Sequence, residues 1–70
     1  MQQLLMIEDD TRLAHMVGEY LGHAGFAFAH AAEGGKGLEA VVAKVPDLVI
    51  LDLMLPDMDG LDVCRRIRGL

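Results

Sequence analysis

Leu48-Val49-Ile50-Leu51 constrains this chain more than any other stretch, because it is an unbroken aliphatic run closed by Asp52 and followed at once by the turn-rich LMLPDMDG. A run this short, apolar at every position, suits a strand of a parallel sheet covered on both faces, not an alternating strand with one wet side. Parallel strands need long crossover connections, and the flanking sequence supplies them. Leu4 to Ile7 is a second apolar run, ending in Glu8, Asp9 and Asp10. From Thr11 onward, Leu13, Met16, Val17, Tyr20, Leu21 and Ala24 recur at helical spacing, with Asp10 placed as N-cap and Gly25 as the stop. Phe26 to Ala31 reads as another strand, and Glu33-Gly34-Gly35 punctuates the chain before Leu38, Val41, Val42 and Val45 mark a second amphipathic helix that Pro46 ends. A third helix runs from about Leu61 and buries Val63, Cys64 and Ile67. The order βαβαβα with right-handed crossovers predicts an α/β fold, a parallel three-stranded sheet of order 2-1-3 with helices on both faces.

Hydrophobic residues make up 53% of the 70, enough to demand a core and to exclude a disordered chain. A formal charge of −5 argues against nucleic acid or an anionic membrane as a direct partner, since both reward clustered Lys and Arg. Arg65, Arg66 and Arg68 are the one basic cluster, and they read as a solvated helix face. A single cysteine, Cys64, permits no internal disulfide and reads as a buried, inert thiol in a reducing compartment. The opening MQQLLMIEDD has no basic segment and meets acid within a few residues, so no signal peptide or membrane span is expected and a cytoplasmic location is implied.

In an open parallel sheet, ligands bind beyond the carboxyl ends of the strands where strand order reverses, here between strands one and three. Glu8 and Asp9 leave strand one and Asp52 leaves strand three, and neighbouring strands lie only about 5 Å apart. Three carboxylates so close raise one another's pKa and need a counter-charge. Their hard oxygens suit Mg²⁺, which keeps several waters and favours phosphate. Asp52, presented by the turn, is the candidate nucleophile toward phosphorus; Glu8 and Asp9 are placed to hold the ion, and Asp10 is a helix cap. Other features carry less. HAAEGGKG has His30 and Gly37 where a phosphate-binding loop needs Gly and Ser or Thr, so it reads as a helix-start turn. His15, His23 and His30 lack metal-ligand spacing and read as partly exposed polar residues, and the five methionines read as core filler.

LLMIEDD at 4 to 10 and LVILDLMLPDMDG at 48 to 60 resemble the receiver domain of two-component response regulators, and the resemblance spans essentially all 70 residues. It implies a truncated flavodoxin-like receiver fold, with residues 1–70 forming the N-terminal half as a single incomplete domain. It further implies Asp52 as phosphoacceptor, Glu8 and Asp9 as the acidic pair, and the Met54 backbone carbonyl as a further ligand to Mg²⁺. A sensor histidine kinase is the implied phosphoryl donor. The flavour of IEDD and DVCRRIR is similar to regulators with winged-helix DNA-binding effectors. The family's later Ser or Thr and its Lys, which contact the phosphoryl group, fall outside these residues, and Lys36 and Lys44, in or beside helix two, cannot replace the latter. Slow phosphorylation at best is therefore expected, in a signalling module and not an enzyme with a foreign substrate. An aspartate-nucleophile phosphohydrolase is disfavoured because Met54 stands where that class carries its second acid; a non-catalytic half-domain acting as a folding or assembly unit is the other alternative. Strand three is expected to be an open apolar edge, and self-association through it, antiparallel to a second copy in the order 2-1-3-3-1-2, would cover it.

Overall fold

The computed structural model describes residues 1–70 and gives the order β1 (Gln3–Ile7), α1 (Thr11–His23), β2 (Ala27–Ala31), α2 (Gly34–Ala43), β3 (Leu48–Leu51) and α3 (Gly60–Arg68). The sheet is parallel, in the expected order β2-β1-β3. Leu5 pairs with Ala29 on one side and Val49 on the other, and Ile7 with Ala31 and Leu51, so β1 is central and β3 lies at an edge. A reciprocal pair of hydrogen bonds pins the entry to β3: Gln3 N–H donates to the Asp47 carboxylate at 2.7 Å, and Asp47 N–H donates to the Gln3 carbonyl at 2.8 Å.

The two faces of the sheet are filled unequally. Leu5 and Ile7 point toward α2 and α3, where they join Ala31, Val41 and Val63 in the core; Ile7 and Val63 have no accessible surface. Leu4 and Met6 face the other way with Phe28, whose ring lies against Gly18 of α1. In register with Leu4 and Met6, Leu48 and Ile50 share that second face, and Leu48 remains 56% exposed. Leu13, Met16 and Tyr20 of α1 are exposed too. They belong to the stripe that spacing marks as buried, of which Val17 and Leu21 are half-buried, but α1 leans on β2 and leaves Leu13, Met16 and Tyr20 clear of the sheet.

Helix ends follow the sequence closely. The Asp10 side chain accepts the Leu13 N–H at 3.0 Å, the N-cap expected of it. At the other end of α1, Gly25 takes φ +94 while Gly25 N–H reaches the Gly22 carbonyl and Phe26 N–H the Leu21 carbonyl. That is a Schellman stop, and it sets the start of β2 at Ala27, one residue later than the apolar run suggests. Three expectations are corrected. α2 buries Gly34, Gly37 and Val41, not Val42 and Val45: Val42 lies on the helix face away from the core, and the chain is already extended at Lys44, so Val45 falls beyond the helix. Cys64 is half-buried beside β3, not enclosed. Of the methionines, Met6 and Met58 pack against the interior, whereas Met1, Met16 and Met54 are exposed, because no element covers their positions.

Candidate functional site

β1 and β3 run side by side and stop together, Ile7 opposite Leu51, so the residues that follow each are delivered to one end of the sheet. There Glu8, Asp9 and Asp52 come together, with one carboxylate oxygen from each lying within 4.8 Å of the others. Glu8 keeps only 9% of its surface, whereas Asp9 is exposed and Asp52 half-buried. The Asp52 backbone continues the ladder, its N–H donating to the Ile7 carbonyl at 3.0 Å, and its side chain accepts the Met54 N–H at 3.1 Å. Asp52 is thus held from both sides by main chain.

The three acids are electrostatically distinct. Asp10 N–H donates to Glu8 at 3.2 Å and pulls its carboxyl down, but burial and the neighbouring Asp52 and Asp9 outweigh that bond and leave Glu8 above the ordinary glutamate range. Asp52 moves the opposite way, lowered first by the Met54 N–H and then by hydrogen bonding from the Glu8 carboxyl. Of the two, Glu8 therefore binds a proton more readily than an ordinary glutamate and Asp52 less readily than an ordinary aspartate. Three convergent carboxylate oxygens, with Asp9 open to solvent, fit a hard divalent cation that retains some of its waters.

The loop after Asp52 is drawn back tightly. Gly60 N–H donates to the Leu53 carbonyl at 3.1 Å, Met54 bridges to Asp59, and a Cβ at Gly60 would collide with the main chain of Asp52 and Leu53. Only a residue without a side chain lets α3 start there. Asp59 caps α3 by accepting the Leu61 N–H at 2.9 Å. Glu8, Asp9 and Asp52 are thus brought together as the sequence suggests, with Met54 two residues after Asp52 and bonded to its side chain, and Asp10 set apart as a cap.

Two residues at this end escape a sequence reading. His30, at the end of β2, donates from Nε2 to the Glu8 carbonyl at 2.7 Å, a bond that fixes the proton on that nitrogen. Asp57 reaches from the loop to the first amides of α2. The unmet donors of a helix that opens Gly34-Gly35 were the one signal for it. The largest cleft, about 540 Å³ between α1 and β2, is lined by Thr11, His15, Gly18, Phe28 and His30 and by none of Glu8, Asp9 and Asp52.

A family model described as response regulator receiver domain matches residues 4–70. Among curated relatives, the DNA-binding response regulator MtrA of Mycolicibacterium smegmatis is 48% identical over 68 residues, covering 97% of this chain and 30% of MtrA. The transcriptional regulatory protein AfsQ1 of Streptomyces coelicolor is 46% identical over 68 residues, again 97% of this chain and 30% of the relative. The CheY-like receiver domain of Methylobacillus flagellatus superposes with a TM-score of 0.95 at 34% identity, over all of this chain and 59% of that one. The response regulator TrrA of Thermotoga maritima, solved in complex with Mg²⁺-BeF, gives 0.94 at 30% identity over 99% and 60% of the respective chains. The chain therefore spans less than a third of the length of these curated relatives.

Proposed function

The chain belongs to the response-regulator receiver family, and from that membership we propose that Asp52 accepts a phosphoryl group from the phosphohistidine of a sensor kinase beside a Mg²⁺ ion held by Glu8, Asp9, Asp52 and the Met54 backbone carbonyl. The convergence of the three carboxylates at the paired ends of β1 and β3 carries this reading. In the transfer, an Asp52 carboxylate oxygen attacks phosphorus, the new O–P bond forms as the P–N bond breaks, and the histidine nitrogen leaves with the electron pair. The ion supplies neutralisation of charge on the phosphoryl oxygens. The Met54 N–H favours the ionised form of the nucleophile and orients its carboxylate, and the Ile7–Asp52 ladder bond fixes its main chain.

Residues 1–70 correspond in this reading to the N-terminal half of a receiver, a single incomplete domain, which the 59% and 60% coverage of the two solved relatives supports. The module serves signalling and takes part in its own phosphorylation, with no foreign substrate to turn over. The similarity to MtrA and AfsQ1 favours an output in transcription, and a cytoplasmic location goes with that; no helix is long and apolar enough to cross a membrane. Self-association is the second part of the proposal. Between β3 and α3 runs an open groove of about 440 Å³ lined by Leu48, Val49, Leu51, Cys64 and Ile67, and a second copy pairing β3 against β3 would cover it.

Exposure of the chain to phosphoramidate and Mg²⁺, followed by mass spectrometry, tests the central claim. A slow phosphoryl adduct confined to Asp52 and absent from Asp52→Asn is the expected result. An adduct at any other residue would overturn it.

A further inference from the structure

The loop between β3 and α3 is fastened to a helix that contributes nothing directly to the acidic cluster. Asp57, midway along it, accepts the Gly34 N–H at 2.8 Å and the Gly35 N–H at 2.9 Å, the opening amides of α2. Glu33, the N-cap of that helix by position, makes no capping bond with its side chain. The first N–H groups of a helix have no partner within it, and here a distant acid supplies one. Beside this ionic tie, a Cβ on Gly34 would stand 3.1 Å from Met58 Cβ and Sδ and 3.0 Å from Val63 Cγ2, so the loop and α3 sit directly on the first turn of α2. The inner limb of the loop is closed by the bond from Gly60 N–H to the Leu53 carbonyl and by the Met54–Asp59 bridge. Asp52 and Met54 therefore ride on a segment fixed at one limb by its own backbone and at its apex by α2.

We propose that Asp57 is a positioning residue of the site: by tying the loop apex to the N-terminus of α2, it holds the Asp52–Met54 segment in the arrangement that serves one cation. The inference rests on the cation reading above and extends it to a residue that is not itself a ligand. It makes α2 a structural support of the acidic site, connected through two main-chain amides.

Amide exchange and Mg²⁺ titration followed by NMR on the 70-residue chain test it, with Asp57→Ala, Asp57→Asn and Asp9→Asn as variants. In Asp57→Ala the Gly60 amide should exchange faster while β1 amides keep their protection, and Mg²⁺ affinity should fall about tenfold, a size typical of residues that orient a ligand. Asp57→Asn keeps an acceptor oxygen and drops the charge, so it should restore most of the affinity; it also carries the test if the alanine variant fails to fold. Unchanged Gly60 exchange and unchanged affinity in Asp57→Ala would overturn the proposal. So would an equal loss of affinity in both variants with Gly60 exchange unaltered, which would assign the effect to charge alone. Asp9→Asn separates the two readings, because it should remove Mg²⁺ binding without disturbing Gly60. Undiminished binding in Asp9→Asn would defeat the cation reading, and Gly60 exchange in the Asp57 variants would still decide whether Asp57 holds the loop.

Discussion

Asp57 and Glu8 respond to pH in opposite senses. The N–H groups of Gly35 and Gly34 lower the Asp57 carboxyl, so its folded-state pKa lies below its unfolded value. It therefore stabilises the fold above the unfolded value, and that contribution is lost as pH falls through the folded one. Asp57→Asn should lower the urea midpoint at neutral pH and leave it unchanged in strong acid, which parallel denaturation series would show. Glu8 is raised, because burial and the neighbouring Asp52 and Asp9 outweigh the Asp10 N–H; its contribution is present below the unfolded value and is lost as pH rises through the folded one. Glu8→Gln should accordingly raise the neutral-pH midpoint of the metal-free protein while weakening Mg²⁺ binding. A variant that lost both would mean that Glu8 supports the fold as an anion. The strand-end acids were legible in the sequence, because an acid closing an apolar run can only emerge at the end of the sheet. Asp57 and His30 were not, since each bonds a backbone group more than 20 positions away, and the open amides at Gly34-Gly35 call for an acceptor without saying which residue supplies it.

α1 offers a direct comparison of two glycines near its end. Gly22 is helical and a Cβ there meets nothing within 4 Å, so Gly22→Ala should stabilise the protein by about 0.5 kcal/mol, part of the propensity difference seen in helix interiors because Gly22 lies in the last turn. Gly25 has equally open surroundings but sits at φ +94, and Gly25→Ala should destabilise by about 1 kcal/mol through backbone strain alone. Thermal melts of the two variants should move in opposite directions. All six elements were readable from periodicity and caps, with ends displaced by one or two residues. What periodicity misassigned was which face is buried. In α2 the contact with the sheet and α3 is shared between Val41 and the glycines Gly34 and Gly37, which carry no hydrophobic signal, while Val42 and, beyond the helix end, Val45 are exposed. In α1 the apolar residues Met16 and Tyr20 mark a stripe that the sheet does not reach.

At the scale of the molecule, one face of the sheet is closed by α2 and α3 and the other is half covered. Leaving several aliphatic residues of β3 partly wet forfeits a few kcal/mol at roughly 25 cal/mol per Å², so a second copy that dries the edge should be favoured. Light scattering over a dilution series should show a concentration-dependent mass. Leu48→Lys is the cleaner probe, because Val49 and Leu51 also pack against the core whereas Leu48 is mostly exposed; it should shift the equilibrium toward monomer by at least tenfold, about 1.4 kcal/mol. A folded species of constant mass at every concentration would show that the edge needs no cover. The centre of the sheet has a different consequence, one of timing. β1 is synthesised before both of its neighbours yet is the middle strand of the finished sheet, and the latch that seats β3 beside it joins residues 44 positions apart. At synthesis rates of about 5–20 residues per second, Leu5 and Ile7 wait roughly two to nine seconds for their second neighbour. During that interval the nascent chain offers a bare strand edge, the kind of surface that chaperones engage.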